Sequence, residues 1–380
     1  AVTHPDPAAY YHTLAAQRPF YRDEALGLWV AAGAAEVAAV LAHPACRVRP
    51  PAQAVPPALA GSHAGALFGG LIRMNDREWN APLKTVLRKR MACLDLAAMR
   101  ARVSALALDL PFDSRHQGAA VNHWMFSLPV LAVADVLGLE VAGARGEAAR
   151  MAAQVAAFAR AMSPLATAEQ LAPGSDAAAW LQAWMRARLA SATTGMAPMD
   201  PAAPPLEGLV REALAAGVTR EIVVANAIGL LIQACEASAG LVGNMLLRLA
   251  REPQRGRGLD ALQEAAAGVL REDPPVQNTR RFLAADARLC GADLKAGDTV
   301  LVVLAAASLD DGGGRTGACD ASAAPWTFGR GRHACPGDAL ASAVAQAVVA
   351  ALLSRGADPA LLARAFRYRP SLNTRIPHFL

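Results

Sequence analysis

The sequence predicts a mainly helical fold with small β-sheets, on three observations. Hydrophobic residues make up 54% of the 380, and long Ala/Leu/Val runs are punctuated by Arg and Glu. Such runs suit buried helices. The longest helical pattern fills residues 219–251, with Thr219 as an N-cap and Glu221 in the first turn. Alternation of the β kind is confined to residues 276–305 and to the extended stretch 25–33.

Taken in order, residues 19–50 read as strand, turn, strand and helix. Residues 50–72, rich in Pro, Gly and Ala, read as a loop. Residues 76–109 and 118–165 read as mostly helical, with Pro82 and Pro129 starting or bending a helix. Residues 163–176 mark a break, and the prolines at 198, 201, 204 and 205 mark an irregular connection. A helix over 259–272 stops before Pro274-Pro275. Residues 276–305 form strands with a turn at Gly297-Asp298, and 310–325 form a loop. The last helix runs from Gly337 to about Ser354. No internal repeat or linker divides the chain, so residues 1–380 are expected to form a single domain.

Composition excludes several classes. No apolar run of about 18 residues lacks a charge or a breaker, so no membrane span is expected. The first residues lack the layout of a secretory signal, which places the protein in the cytoplasm. The net charge of +5 is not gathered into a basic tract, so nucleic acid is not an expected partner. The densest basic cluster, Lys84, Arg88, Lys89 and Arg90, reads as a solvated helix face or a docking patch for an acidic protein. The six cysteines form no CxxC pair, and all but Cys335 read as small buried hydrophobes.

The chemistry concentrates in Phe328-Gly-Arg-Gly-Arg-His-Ala-Cys-Pro-Gly337. Glycines reach backbone conformations closed to other residues, so the loop can aim N–H groups at one sulfur. The helix that follows adds positive potential there. A thiolate so held is a soft ligand for iron, and the N–H groups tune the electron density it donates.

This segment resembles the haem-binding loop of the cytochrome P450 family, Phe-Gly-x-Gly-x-His-x-Cys-x-Gly. Phe328, Gly329, Gly331, His333, Cys335 and Gly337 match all of its fixed positions. Even the shorter pattern Phe-x-x-Gly-x-x-x-Cys-x-Gly should arise by chance in on the order of one chain in a thousand. Arg271-Glu-Asp-Pro-Pro-Val276 and Gly291-Ala-Asp-Leu-Lys-Ala-Gly-Asp-Thr-Val300 fall in the family's order, and soluble bacterial members are nearest in style. The resemblance implies haem b between the long distal helix and the helix after the Cys loop, with Cys335 on the iron. It implies that His333 and Arg281 meet haem propionates. Trp79 stands where bacterial members carry the His of His-x-x-x-Arg, and its indole N–H is a candidate propionate donor; the fourth residue on is Leu83 rather than Arg.

Three departures stand beside the matches. Gln233-Ala-Cys-Glu-Ala-Ser238 occupies the place of the family's Ala-Gly-x-Asp/Glu-Thr-Thr. Glu236 keeps the acid, but Ala237 replaces the alcohol, and Ser238 lies about 100° further round the helix. A proton relay then needs a water, a substrate hydroxyl or Glu236. Gly268 stands in place of the Glu of Glu-x-x-Arg, three residues before Arg271. The Arg that completes that cluster is missing before the haem loop, with Arg315 a poorly placed substitute.

The resemblance therefore implies a haem-thiolate monooxygenase. It would take electrons from a ferredoxin and its reductase and oxidise an apolar small molecule in secondary metabolism. The ferredoxin would dock near Lys84, Arg88, Lys89, Arg330 and Arg332. The alternatives are a haem-thiolate enzyme without ordinary oxygenation (dehydratase, isomerase, peroxide-driven or nitrogen-oxide chemistry) and a non-catalytic haem- or ligand-binding protein. Ala237 motivates the first alternative.

Overall fold

The computed structural model describes residues 1–139, 145–190, 204–254, 256–310 and 325–380. Helix α1 (Ala8–Gln17) leads into strands β1 (Phe20–Asp23) and β2 (Leu28–Ala31), helix α2 (Ala34–Ala42) and strand β3 (Cys46–Arg47). A helical stretch follows: α3 (His63–Gly70), α4 (Asn80–Ala92), α5 (Leu96–Leu108), α6 (Gln117–Val136), α7 (Arg145–Ala161), α8 (Ala168–Leu189), α9 (Pro205–Ala215), α10 (Arg220–Gln233), α11 (Glu236–Arg251) and α12 (Leu259–Glu272). Strands β4 (Thr279–Leu283), β5 (Ala287–Leu289), β6 (Ala292–Leu294) and β7 (Thr299–Val302) precede α13 (Leu304–Ser308), α14 (Asp338–Ser354) and α15 (Pro359–Leu362). Strands β8 (Phe366–Tyr368) and β9 (Pro377–Phe379) close the order.

Local chemistry sets several boundaries. Asp95 accepts from the N–H groups of Ala97 and Ala98 and so starts α5. Thr167 and Gln170 form a capping box at the start of α8. That start shortens the break expected over 163–176, and Pro173 lies inside α8. Pro129 likewise lies inside α6. Thr219 sits at the N-cap of α10, but its side chain makes no capping bond. Residues 311–324, with Arg315 and Cys319, lie outside the described residues, as do 191–203.

The main sheet has the order β1-β2-β7-β4-β3. Strands β2 and β7 run parallel, and the Trp29 indole N–H pins them by donating to Asp298 Oδ2 at 3.0 Å. Cys290 (φ 50°) and Gly291 (φ 83°) form the two-residue turn between β5 and β6, a left-handed pair that matches the twist of the strands. Val37, Val40, Leu283, Val300 and Val302 build a small core under this sheet.

The large core lies among the helices, with Trp124, Leu128, Phe158, Val242 and Val348 deeply buried. Ser114–Val136 and Arg220–Arg251 are long and apolar enough to cross a membrane, which corrects the expectation that no such stretch exists. Of their most apolar windows, 61% and 72% is buried inside the protein, so they pass that test as core helices.

The expected 219–251 helix is two helices. At Cys235 the backbone turns to φ −79°, ψ −81°, which interrupts the ladder between α10 and α11. Upstream, α10 is clamped to the end of α3. Asn226 Oδ1 accepts from Ile72 N–H at 2.8 Å, and its Nδ2 donates to Gly70 O at 2.8 Å. A Cβ on Gly70 would stand 2.8 Å from Ala225 Cβ, so glycine is what permits this approach.

Candidate active site

Cys335 lies just before α14, on a loop closed by its own N–H, which donates to Phe328 O at 2.8 Å. Gly329 and Gly331 both take φ 67°, a left-handed conformation costly for any side chain. The Gly337 N–H reaches Cys335 Sγ at 3.4 Å. Phe328 packs on the main core and anchors the loop. Burial pushes the Cys335 thiol up, while the Gly337 N–H and the Lys84 ammonium pull it down.

Lys84 is only 8% exposed, and burial pushes its pKa down to about 8, against the pull of Cys335. That removes Lys84 from the expected docking patch. Lys89 and Arg90 both pair with Glu212 of α9 at 2.8 Å. Arg88, Lys89 and Arg332 remain exposed, whereas Arg330 stacks over the Trp326 ring at 3.8 Å.

The residues expected at the haem edge converge on Asp76, which the sequence reading did not single out. His333 Nε2 lies 2.9 Å from Asp76 Oδ1, Val48 N–H donates to Oδ2 at 2.8 Å, and Arg332 approaches at 3.5 Å. Arg281, 5% exposed, is close enough to feel the Asp76 charge, while its Nη1 donates to Arg280 O at 2.8 Å. Trp79 is half-buried against the core, and its indole N–H has no acceptor among the described residues.

Burial lowers the His333 pKa more than Asp76 raises it. Burial alone would raise the Asp76 pKa, but the bonds from His333 and Val48 hold it below the usual carboxylate range. The pair thus rests as neutral His and ionised Asp. The unfolded chain binds a proton at His333 below about pH 6.5 and at Asp76 below about pH 4, where the folded protein resists both. Stability is therefore expected to fall as the pH drops below about 6.5. Urea unfolding midpoints across pH 4–7 check this: His333→Gln should flatten the upper part of that fall, and an unchanged slope would contradict it.

On the distal side, Leu230, Gln233 and Ala237 are partly accessible, although the helical segment around them is otherwise mostly buried. Leu230 and Gln233 lie one turn apart at the end of α10, and Ala237 lies in the first turn of α11. The Gln233 Nε2 donates back to Gly229 O at 3.1 Å. Ser238 is 5% exposed and its hydroxyl makes no hydrogen bond among the described residues. Glu236 lines a cavity of about 510 Å³ between α5, α6 and α7, together with His123, Phe126, Arg160 and Arg369. Burial pushes the Glu236 pKa up, opposed by Arg369, Arg73 and Arg160.

The missing Glu of Glu-x-x-Arg has a physical counterpart. A Cβ on Gly268 would lie 2.4 Å from Arg248 Cζ, so glycine makes room for the Arg248 guanidinium of α11. Arg248 pairs with Glu272 at 2.5 Å and Glu252 at 3.2 Å, and Arg271 reaches Glu272 at 3.4 Å. The ionic tie has moved to the neighbouring helix.

Comparison with known proteins shows which fold this is. No family model matches the chain. A curated relative, the biotin biosynthesis cytochrome P450 of Bacillus subtilis (strain 168), is 30% identical over 166 residues. That match spans 42% of this chain and 42% of the relative, less than half of its length. The structure of P450BioI in complex with hexadec-9Z-enoic acid ligated acyl carrier protein superposes with a TM-score of 0.75 at 22% identity, over 98% of this chain and 96% of that one. CalO2 gives 0.71 at 23% identity, over 99% and 96%. The Tepidiphilus thermophilus P450 heme domain gives 0.75 at 20% identity, over 99% and 93%.

The chain has the fold of these cytochrome P450 structures.

Haem b is the cofactor that the P450 resemblance implies, and three observations here fit it. Cys335 offers a sulfur with an N–H donor, Leu230, Gln233 and Ala237 on the distal side are partly accessible, and the Trp79 indole N–H has no acceptor among the described residues. His333 and Arg281, the propionate partners that the P450 resemblance implies, both lie close to Asp76. Asp76, Asn226, Arg73, Arg160 and Arg369 escaped the sequence reading because each is brought to the site by a different element.

Proposed function

We propose that this chain is a cytochrome P450, a haem-thiolate monooxygenase of the cytoplasm. It would take electrons from a ferredoxin and its reductase and insert oxygen into a small, largely apolar molecule of secondary metabolism. The observation that carries the reading is Cys335, held on a glycine-built loop with an N–H on its sulfur at the start of α14. Haem bound through that sulfur would supply the activation of dioxygen.

Each remaining task falls to a side chain. Cys335 Sγ holds the iron, and the Gly337 N–H moderates its charge. Trp79 and Arg281 suit the haem carboxylates by donating N–H groups, Arg281 with its fixed fork. His333 holds Asp76, which ties the loop to the start of α4. Glu236 is the acid beside Ala237 that can stand in for the missing alcohol: burial pushes its pKa up, and its carboxyl borders the adjoining cavity. The exposed Arg88, Lys89 and Arg332 suit an acidic electron donor.

Ala237 and the unbonded, buried Ser238 favour a second reading, a haem-thiolate enzyme that bypasses ordinary oxygenation. Turnover under ¹⁸O₂ with a surrogate ferredoxin and reductase decides between them. The monooxygenase predicts one labelled oxygen in the product and no product without reductant. Product formed without dioxygen or reductant would establish the second reading instead.

A further inference from the structure

The cavity of about 510 Å³ between α5, α6 and α7 lies apart from the haem side. Among the described residues that line it, none is Cys335, Trp79, Arg281 or His333, and none is Leu230, Gln233 or Ala237. It meets the distal helix from another direction, at Cys235 and Glu236, where α10 gives way to α11. Its volume falls within the range of small-molecule sites, about 300–1,000 Å³.

The sequence of α7 opens this space. Ala148, Ala149, Ala152, Ala153, Ala156 and Ala159 all line it. At about 100° per residue they fall within one sector of α7 some 140° wide, and Arg160 falls there too. From Ala148 to Arg160 that sector runs about 18 Å along the helix. A longer side chain at any of the six positions would project into the cavity. Phe126 and Leu131 of α6 add to the apolar lining.

Two guanidiniums border the same space. Arg160 stands in the last turn of α7, and Arg369 follows β8. The Arg369 N–H donates to Ile376 O at 2.9 Å, and its Cζ lies over the Phe126 ring at 4.6 Å from the centroid. Asn122, one turn before Phe126, spends its amide on the backbone of Phe379, donating to its O at 2.7 Å and accepting from its N–H at 3.1 Å. The guanidiniums are not spent in this way. Among the described residues neither Arg160 nor Arg369 donates a side-chain hydrogen bond or joins an ion pair. The planar fork of arginine matches a carboxylate. Two acids share the lining, Glu236 and Asp109 at the C-cap of α5. They disfavour a doubly charged group such as a phosphate more than a singly charged one.

We propose that this cavity is a second small-molecule site, for an amphiphilic monocarboxylic acid. The carboxylate pairs with Arg160 and Arg369, and the apolar body lies along the alanine sector of α7. The site does not rest on the reaction proposed at the iron. Its occupant touches the distal helix at Cys235 and Glu236, behind the haem side.

The test is calorimetric binding to the haem-loaded full chain with imidazole held on the ferric iron, whose Soret band reports the haem side separately. The probes are octanoate, decanoate and 4-phenylbutyrate, each beside its primary amide. At least one acid should bind about tenfold more tightly than its amide, with the Soret band of the imidazole complex unmoved. Arg160→Gln and Arg369→Gln should each cut that preference by about threefold or more, and Arg369→Lys should keep part of it. Ala156→Leu should weaken acid and amide alike by about tenfold, because it fills the space rather than removing the charge. The reduced carbon monoxide band should stay the same in all four variants. Equal binding of acid and amide, no binding of any probe, or displacement of imidazole by the acid would overturn the proposal. So would an acid preference that survives both glutamine variants, an affinity untouched by Ala156→Leu, or loss of the carbon monoxide band, which would place these residues in the haem site.

Discussion

Arg375→Met is expected to cost the fold about 3–5 kcal/mol, the range for leaving one partner of a buried ion pair uncompensated. Arg375 is 1% exposed and spends its whole guanidinium on four acceptors. Its Nε donates to Asp273 Oδ1 at 2.5 Å, its Nη1 to Val2 O and His4 O at 2.9 and 2.6 Å, and its Nη2 to Pro5 O at 2.9 Å. The group also covers the Tyr368 ring at 3.6 Å. One side chain thus ties the first residues, the end of α12 and the turn before β9. Methionine fills similar volume but leaves three backbone carbonyls and the Asp273 carboxylate without their donor. Denaturant unfolding measures the loss. The double variant Arg375→Met/Asp273→Asn should recover part of it, since no buried charge remains. A single-variant loss below about 1 kcal/mol would show that water replaces these bonds readily.

What was legible in the sequence follows from how locally each feature is encoded. The Cys loop was legible because its six defining residues lie within one stretch, residues 328–337, and each has a local task. The helices were legible from composition, but the break at Ala234-Cys235 was not, since nothing in Gln233-Ala-Cys-Glu236 opposes a helix strongly. Gly268 read as the loss of an ionic partner; its meaning as space for Arg248 needs the α11–α12 contact. The Asp76–His333 pair joins residues 257 apart in sequence. The basic cluster at 84–90 read as one surface patch, yet Lys84 faces inward and Lys89 and Arg90 are held by Glu212. The distal guanidiniums come from a turn, from α7 and from the segment after β8, and no local pattern announces their convergence.

The second large effect falls on Cys335. Serine at this position keeps the volume and the Gly337 N–H contact to within an atom's size, so the loop between Phe328 and Asp338 should fold as before. What changes is the donor: a hydroxyl is a hard, weakly basic ligand, where the thiolate is soft and electron-rich. Oxygenase turnover should fall to background, while the unfolding midpoint of the haem-free protein should move little. The direct measurement is the absorption spectrum of the reduced protein under carbon monoxide. The wild type should show the red-shifted band of a thiolate-ligated iron, and Cys335→Ser should lose it. The same red-shifted band in both proteins would contradict the assignment of Cys335 as the iron ligand.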